Sequence, residues 1–222
     1  MLFWIASMAG GAVAYLLGAT PTGYLAGRLL KGIDLRQHGS GSTGATNVLR
    51  TLGKGPALAV LVIDLLKGAA AIAFARWFFP WLATGPSIGP SVAPPTGLDA
   101  HAWVPWAVAL AGLAAVVGHS RSIWLHFTGG KSAATGLGVL LALSWPMGLG
   151  AAAAFGLVLA LSRIVSLSSM LAALTAIALS FGQPLPTQLL VIAGGLYVIL
   201  RHRTNIQRLL AGTEPRLGQS AR

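Results

Sequence analysis

Apolar residues fall in long runs along this chain, separated by short polar stretches. Seven runs predict helical spans, at 2–26, 56–79, 103–120, 132–146, 148–162, 165–182 and 187–200. Several are shorter than the roughly 20 residues a bilayer requires. The fourth and fifth meet at Trp145-Pro146-Met147-Gly148, which suits either one broken helix or a tight helical hairpin. Segment 80–102 is rich in Pro, Gly and Ser and predicts a loop.

Composition narrows the class. Of 222 residues, 55% are hydrophobic and 9% charged, and the mean hydropathy is +0.75. Soluble domains carry roughly 25% charged residues. So few charges cannot cover a soluble surface, and disorder requires low hydrophobicity. The expectation is an all-α polytopic membrane protein of about seven transmembrane helices, one integral-membrane domain over 1–222. Gly 29 and Pro 12 suit this class, because membrane helices tolerate both. A signal peptide carries positive charge before its apolar region, and the first Lys or Arg here is Arg28. Residues 2–26 are therefore expected as a retained first span.

The basic residues suggest an orientation. Arg28, Lys31, Arg36, Arg50 and Lys54 separate spans one and two. Arg121 and Lys131 separate three and four, and Arg163 separates five and six. Arg201, Arg203, Arg208, Arg216 and Arg222 follow the last span, whereas 80–102 and 183–186 carry none. The positive-inside rule places the charged loops in the cytoplasm. Seven spans then put the amino end outside and the carboxyl end inside. Lys67 and Arg76 lie within span two. The net charge of +11 points to anionic headgroups and an anionic ligand rather than nucleic acid. The absence of cysteine excludes disulfides, thiolate metal sites and a cysteine acyl-enzyme.

Four polar segments carry the candidate chemistry. His38-Gly39-Ser40-Gly41-Ser42-Thr43-Gly44-Ala45-Thr46-Asn47 ends on Arg50 ahead of a span. Its glycines let backbone N–H groups turn toward an anion, and a following helix adds its positive amino end. It suits a phosphate cradle; a flexible linker is the plain alternative. Gly118-His119-Ser120 precedes Gly129-Gly130-Lys131, where N–H donors and a cation open a helix. Its plain alternative is an ordinary loop, with His119 at the interface. Arg163 lies between two apolar spans, where it could equally mark topology, and Ser166 and Ser169 open the next span, where Ser166 could be a helix cap. Arg201-His202-Arg203 leads to Asn205 and Arg208; a helix puts His202 and Asn205 on one face. A basic helix on anionic lipid would look the same. Asp64 and Lys67 form a helical ion pair inside span two, either orienting the site or purely structural.

The four acids, Asp34, Asp64, Asp99 and Glu214, do not cluster in metal-ligand spacing, so no metal and no cofactor is expected. No His-x4-Asp dyad is present.

Together these segments resemble the bacterial acyl-phosphate:glycerol-3-phosphate acyltransferases, the integral-membrane Y-type family. The resemblance rests on Gly39, Ser40, Gly41, Gly44, Ala45, Thr46, Asn47 and Arg50, then Asp64, Lys67 and Gly68. It continues at Gly118, His119, Phe127, Gly129, Gly130, Lys131, Ala134 and Thr135, then Arg163, Ser166 and Ser169. It ends at Arg201, His202, Asn205, Arg208, Leu209, Gly212 and Glu214. Ser42 replaces the family's usual Asn, Ser132 a usual Gly, and Ser122 a common Pro. The resemblance implies transfer of a fatty acyl group from acyl phosphate to the sn-1 hydroxyl of glycerol 3-phosphate. The donor would be neither acyl-CoA nor acyl carrier protein. It also implies an active site facing the cytoplasm, in the bacterial inner membrane, with coupling to an acyl-phosphate-forming enzyme.

On that basis Ser40, Gly41, Gly44, Thr46 and Asn47 are expected to hold the acyl phosphate. Arg50, Lys131, Ser169, His202 and Asn205 are expected at glycerol 3-phosphate, with Arg163 and Ser166 as second choices. His202, Asn205, Lys131 and Ser40 are the candidate catalytic residues. The proton acceptor is either His202 or the substrate's own phosphate. An anion transporter, a serine-nucleophile transferase and a non-enzymatic assembly protein are the competing classes.

Overall fold

The computed structural model describes residues 1–84 and 94–218. Among these, the secondary structure is helical, apart from a single bridge between Ser122 and Thr128. The helices are α1 (Leu2–Ala19), α2 (Thr22–Lys31), α3 (Ala45–Leu52), α4 (Lys54–Ala83), α5 (Ala100–Ser120), α6 (Ala133–Leu143), α7 (Trp145–Ser162), α8 (Val165–Ser180), α9 (Leu185–Arg201) and α10 (Arg203–Leu210).

Each of the seven apolar runs contains a helix, but four helical stretches are long and apolar enough to cross a membrane. These are Leu2–Lys31, α4, α5 and α7; a fifth is the pair α9 and α10 if its 57° bend is one span. The helices α6 and α8 are shorter. The first run is interrupted at Thr20-Pro21 rather than continuous to 26. Of the expected 80–102 loop, 80–83 and 100–102 are helical, while 85–93 and Arg222 lie outside the described residues. Asp99 explains the start of α5, because its carboxylate accepts hydrogen bonds from the N–H groups of His101 and Ala102.

The junction near Trp145 is a helical hairpin. Met147 and Ala151 on α7 pack back against Leu137 and Leu140 on α6. Gly148 permits the turn, since a Cβ there would meet Leu141. Arg76, placed by sequence inside an apolar span, donates to the terminal carbonyls of α6, 2.6 Å from Ala142 O and 2.8 Å from Leu143 O. A cation at a helix carboxyl end satisfies orphan acceptors and opposes the helix dipole.

Glycine sets the closeness of the other crossings. Gly18 on α1 faces the Ala115 carbonyl of α5, and Gly118 on α5 faces the Tyr15 carbonyl of α1. Gly68 on α4 and Gly138 on α6 face Thr135 and Leu65 in the same reciprocal way. Small residues let helices approach closely where lipid removes any hydrophobic drive between them. A core of Ala71, Ile72, Ala75, Ala111, Ala115, Val139 and Leu190 fills the space between α4, α5, α6 and α9. Large apolar side chains such as Leu61, Leu66, Leu110, Leu157, Leu161 and Leu174 remain exposed, as a lipid-facing surface requires.

The charged loops gather at one end of the bundle. Arg36 reaches the Leu125 carbonyl, Lys131 reaches Asn205, and Arg163 reaches Leu217. Gly138→Val should force α4 and α6 apart and lower stability by about 1–3 kcal/mol. Gly156→Ala, with nothing within 4 Å of the added carbon, should be neutral or stabilising. Thermal unfolding of the two variants in detergent compares these outcomes.

Candidate active site

A cavity of 370 Å³ opens where the charged loops meet. Its mouth is lined by Ser40, Gly44, Thr46, Arg50, Lys131, Ser166, Ser169, His202 and Asn205. It continues between α6, α7, α8 and α9 along Leu137, Leu140, Phe155, Ala172, Ala173, Ala176 and Val191. One end is polar and basic; the other is a greasy channel.

The first polar segment folds into a loop that leads into α3. Gly39 and Gly41 adopt left-handed backbone, with φ of 59° and 70°. Asn47 holds the loop together. Its amide donates to the carbonyls of Leu35, His38 and Ser42, and its Oδ1 accepts from Ser40 N–H. The side chain expected to bind phosphate therefore has its polar atoms engaged inside the protein, and Asn47 is 1% exposed. The amino end of α3 lines the cavity through Gly44, Ala45 and Thr46, and no side chain caps it.

The second segment returns from α5 to α6. Gly130 N–H donates to the His119 carbonyl at 3.2 Å, and Arg201 donates to the Gly130 carbonyl. Ser132 caps α6 with a left-handed φ of 64°, a backbone that explains why glycine is usual there in the resemblance noted above. Its hydroxyl donates to the Val116 carbonyl. Ala133 and Ala134, at the side-chain-uncapped amino end of α6, also line the cavity.

The third and fourth segments meet through Glu214. Its Oε1 accepts from Ser166 at 2.7 Å and from Asn205 at 2.6 Å, and its Oε2 accepts from Arg208 at 2.7 Å. Asn205 Oδ1 in turn accepts from Lys131 Nζ at 2.6 Å. One relay thus joins the loop before α6, α8, α10 and the tail. Glu214 matched the tail pattern but was not expected at the site; it is the lone acid in a tail of arginines. Asp64 and His119 also line the cavity. Asp64 pairs with Lys67 at 2.9 Å, as the helical spacing implied, but its approach to His119 needed the fold to bring α4 and α5 together.

Two expected residues are not in the lining. Gly41 shapes the loop behind it. Arg163 lies on the surface, where its guanidinium donates to the Leu217 carbonyl and its own carbonyl accepts from Leu217 N–H. Among the described residues, no group of three His, Asp or Glu side chains is placed to hold a metal ion.

Electrostatics favours an anion. Burial lowers the pKa of Lys131, Glu214 opposes that, and Arg208, Arg50 and Arg201 add to it, bringing it to about 8. Lys131 is therefore charged at neutral pH and held ready for a counter-charge. Burial also lowers His202, to about 4, against the bond to Val198. Its Nδ1 lies 2.7 Å from the Val198 carbonyl, which can only accept, so Nδ1 carries the proton and Nε2 its lone pair. Burial raises Glu214, and its bonds from Asn205, Ser166 and Arg208 outweigh that and keep it ionised.

The glycerol-3-phosphate acyltransferase family profile matches residues 8–212. The chain belongs to that family. A glycerol-3-phosphate acyltransferase 2 of Rhizobium johnstonii is 69% identical over 223 residues, covering 100% of both chains. A glycerol-3-phosphate acyltransferase of Nostoc sp. is 56% identical and covers 99% of this chain and 96% of its own. Among solved structures, the crystal structure of PlsY (YgiH), an integral membrane glycerol 3-phosphate acyltransferase, is similar in its glycerol 3-phosphate form. It has 35% identity, a TM-score of 0.80 and 96% coverage of each chain. Its lysophosphatidic acid form gives a TM-score of 0.77 at 34% identity, covering 96% of this chain and 95% of that one.

The Asn47 network makes a stability prediction. Asn47→Ala removes the partner of the Ser42 carbonyl and of the Ser40 N–H, leaves the Leu35 and His38 carbonyls with their backbone donors alone, and should cost about 2 kcal/mol or more. Asn47→Asp should cost more than Asn47→Ala, because it sets a carboxylate against three carbonyl oxygens. Thermal unfolding in detergent ranks the two variants.

Proposed function

We propose that this family member transfers a fatty acyl group from acyl phosphate to the sn-1 hydroxyl of glycerol 3-phosphate, releasing lysophosphatidic acid and phosphate. One observation carries the reading. Side-chain-uncapped amino ends of α3, α6 and α8 line the polar mouth of a cavity whose other end is apolar. Backbone N–H groups and helix dipoles suit phosphate, and the channel suits an acyl chain.

The polypeptide crosses the inner membrane seven times in this reading, with its amino end outside and the site toward the cytoplasm. The shorter α6 and α8 count as spans. Ser40, Gly44 and Thr46 hold the acyl phosphate by hydroxyl and backbone donors, while Gly41 and Asn47 keep the loop in shape. Arg50, Lys131, Ser169, His202 and Asn205 hold glycerol 3-phosphate; Ser166 acts through Glu214, and Arg163 anchors the tail.

Acyl phosphate is a mixed anhydride and is already activated. The enzyme brings two anions together and stabilises the charge that grows on the carbonyl oxygen. The sn-1 oxygen attacks the carbonyl carbon, the bond from that carbon to the phosphate oxygen breaks, and phosphate leaves. The hydroxyl proton passes to a substrate phosphate. A neutral His202 with a pKa of about 4 is a weak acceptor, which supports this route. An enzyme forming acyl phosphate supplies the donor.

Purified protein in lipidic mesophase should release phosphate and lysophosphatidic acid from palmitoyl phosphate and glycerol 3-phosphate without added metal. Palmitoyl-CoA should give no product. No turnover from folded protein would put an anion transporter first. His202→Gln should keep measurable turnover at saturating substrate; complete loss with intact binding and folding would make His202 the base.

Lys131 predicts the alkaline limb. The residue is charged below about pH 8 and neutral above. The kcat/KM for glycerol 3-phosphate, measured from pH 6.5 to 9.5, should fall as pH rises through about 8. In Lys131→Arg that limb should leave this range.

A further inference from the structure

We infer that His119 is a positioning residue for Lys131, and that Gly130 is glycine because the His119 ring occupies the place of its side chain. The inference rests on the reading of Lys131 as a phosphate-binding cation, and says what holds that cation in place.

The geometry is specific. His119 is buried at the carboxyl end of α5, with its Nδ1 3.6 Å from Asp64 Oδ1, just beyond hydrogen-bond reach and otherwise unpartnered. Asp64 is itself held by Lys67 and by the Thr22 hydroxyl, which fixes the carboxylate the ring faces. On its other side the ring lies against Gly130: a Cβ built on Gly130 would fall on His119 Nε2. Gly130 does not need its glycine for backbone freedom, because it is absent from the left-handed positions. Its N–H is bound to the His119 carbonyl and its own carbonyl to Arg201. Gly130 is thus fixed at its nitrogen, its oxygen and its α-carbon, and Lys131 follows directly. A displacement of about 1 Å at such an anchor is enough to spoil a binding geometry.

The same arrangement argues against His119 as the proton acceptor. One ring nitrogen faces Asp64 and the other faces the Gly130 α-carbon, so neither is directed at a substrate hydroxyl.

The test is a double-mutant cycle of His119→Ala and Gly130→Ala, with KM for glycerol 3-phosphate, kcat and thermal stability read for each variant. Gly130→Ala alone should raise that KM about tenfold or more, with a smaller change in kcat, and lower thermal stability. In the His119→Ala background the added methyl has room, and Gly130→Ala should then change KM and stability by less than about twofold and about 2 °C. If Gly130→Ala costs as much with His119 removed as with it present, the steric account is overturned. Should Gly130→Ala alone not fold, the comparison of His119→Ala with the double variant still decides.

His119→Gln supplies a second readout. Its KM for glycerol 3-phosphate should rise with a smaller change in kcat. Loss of kcat at unchanged KM would make His119 the proton acceptor and overturn the positioning role. Lys131→Gln separates the two readings: an unchanged KM for glycerol 3-phosphate sinks the phosphate assignment of Lys131, whereas an additive cycle sinks the role of His119.

Discussion

An apolar bundle that must hold an anion has few means of doing so, and this one uses the ends of its helices. The amino termini of α3, α6 and α8 line one cavity, and none carries a side-chain cap. In most proteins those N–H groups find a Ser, Thr, Asp or Asn side chain. Here they face a space bordered by Arg50 and Lys131. The short α6 begins at the cavity and turns back at Ser144, with Arg76 on its terminal carbonyls.

The remaining charges keep those donors in register. Glu214 is the only acid of the tail among the described residues, and it binds Ser166, Asn205 and Arg208 together. Asn205 carries the link to Lys131. The pair of Asp64 and Lys67 performs a comparable task deeper down, where Lys67 also donates to the Thr20 carbonyl at the break between α1 and α2. Buried charges are costly when alone and tolerable when paired and hydrogen-bonded. The acids of this site thus act on the protein's own cations and amides, which leaves Arg50 and Lys131 to give the mouth its positive character.

Asn47 shows how a residue can border a site while its polar atoms serve the protein. Its amide donates to three loop carbonyls and its oxygen accepts from Ser40, so it shapes the backbone that borders the cavity. Gly41 and Arg163 act at a similar remove, one through left-handed backbone and the other through the tail.

Long apolar runs and scarce charge were enough to predict helices in lipid, because transfer free energy depends on composition and run length alone. Gly-rich and basic segments at run ends were enough to predict an anion site, because turn chemistry and helix starts are local. The family pattern located Ser40, Lys131, Ser166, Ser169, His202 and Asn205, all of which line the cavity. Span lengths were less legible, since the break at Thr20-Pro21 and the hairpin at Ser144 depend on partners such as Lys67 and Arg76 far along the chain. The engagement of Asn47 by carbonyls five to twelve residues away needed the folded shape of its own loop. The contact of Glu214 with Ser166 and the approach of His119 to Asp64 were decided only by tertiary structure, because contacts between distant segments exist only once the helices have packed.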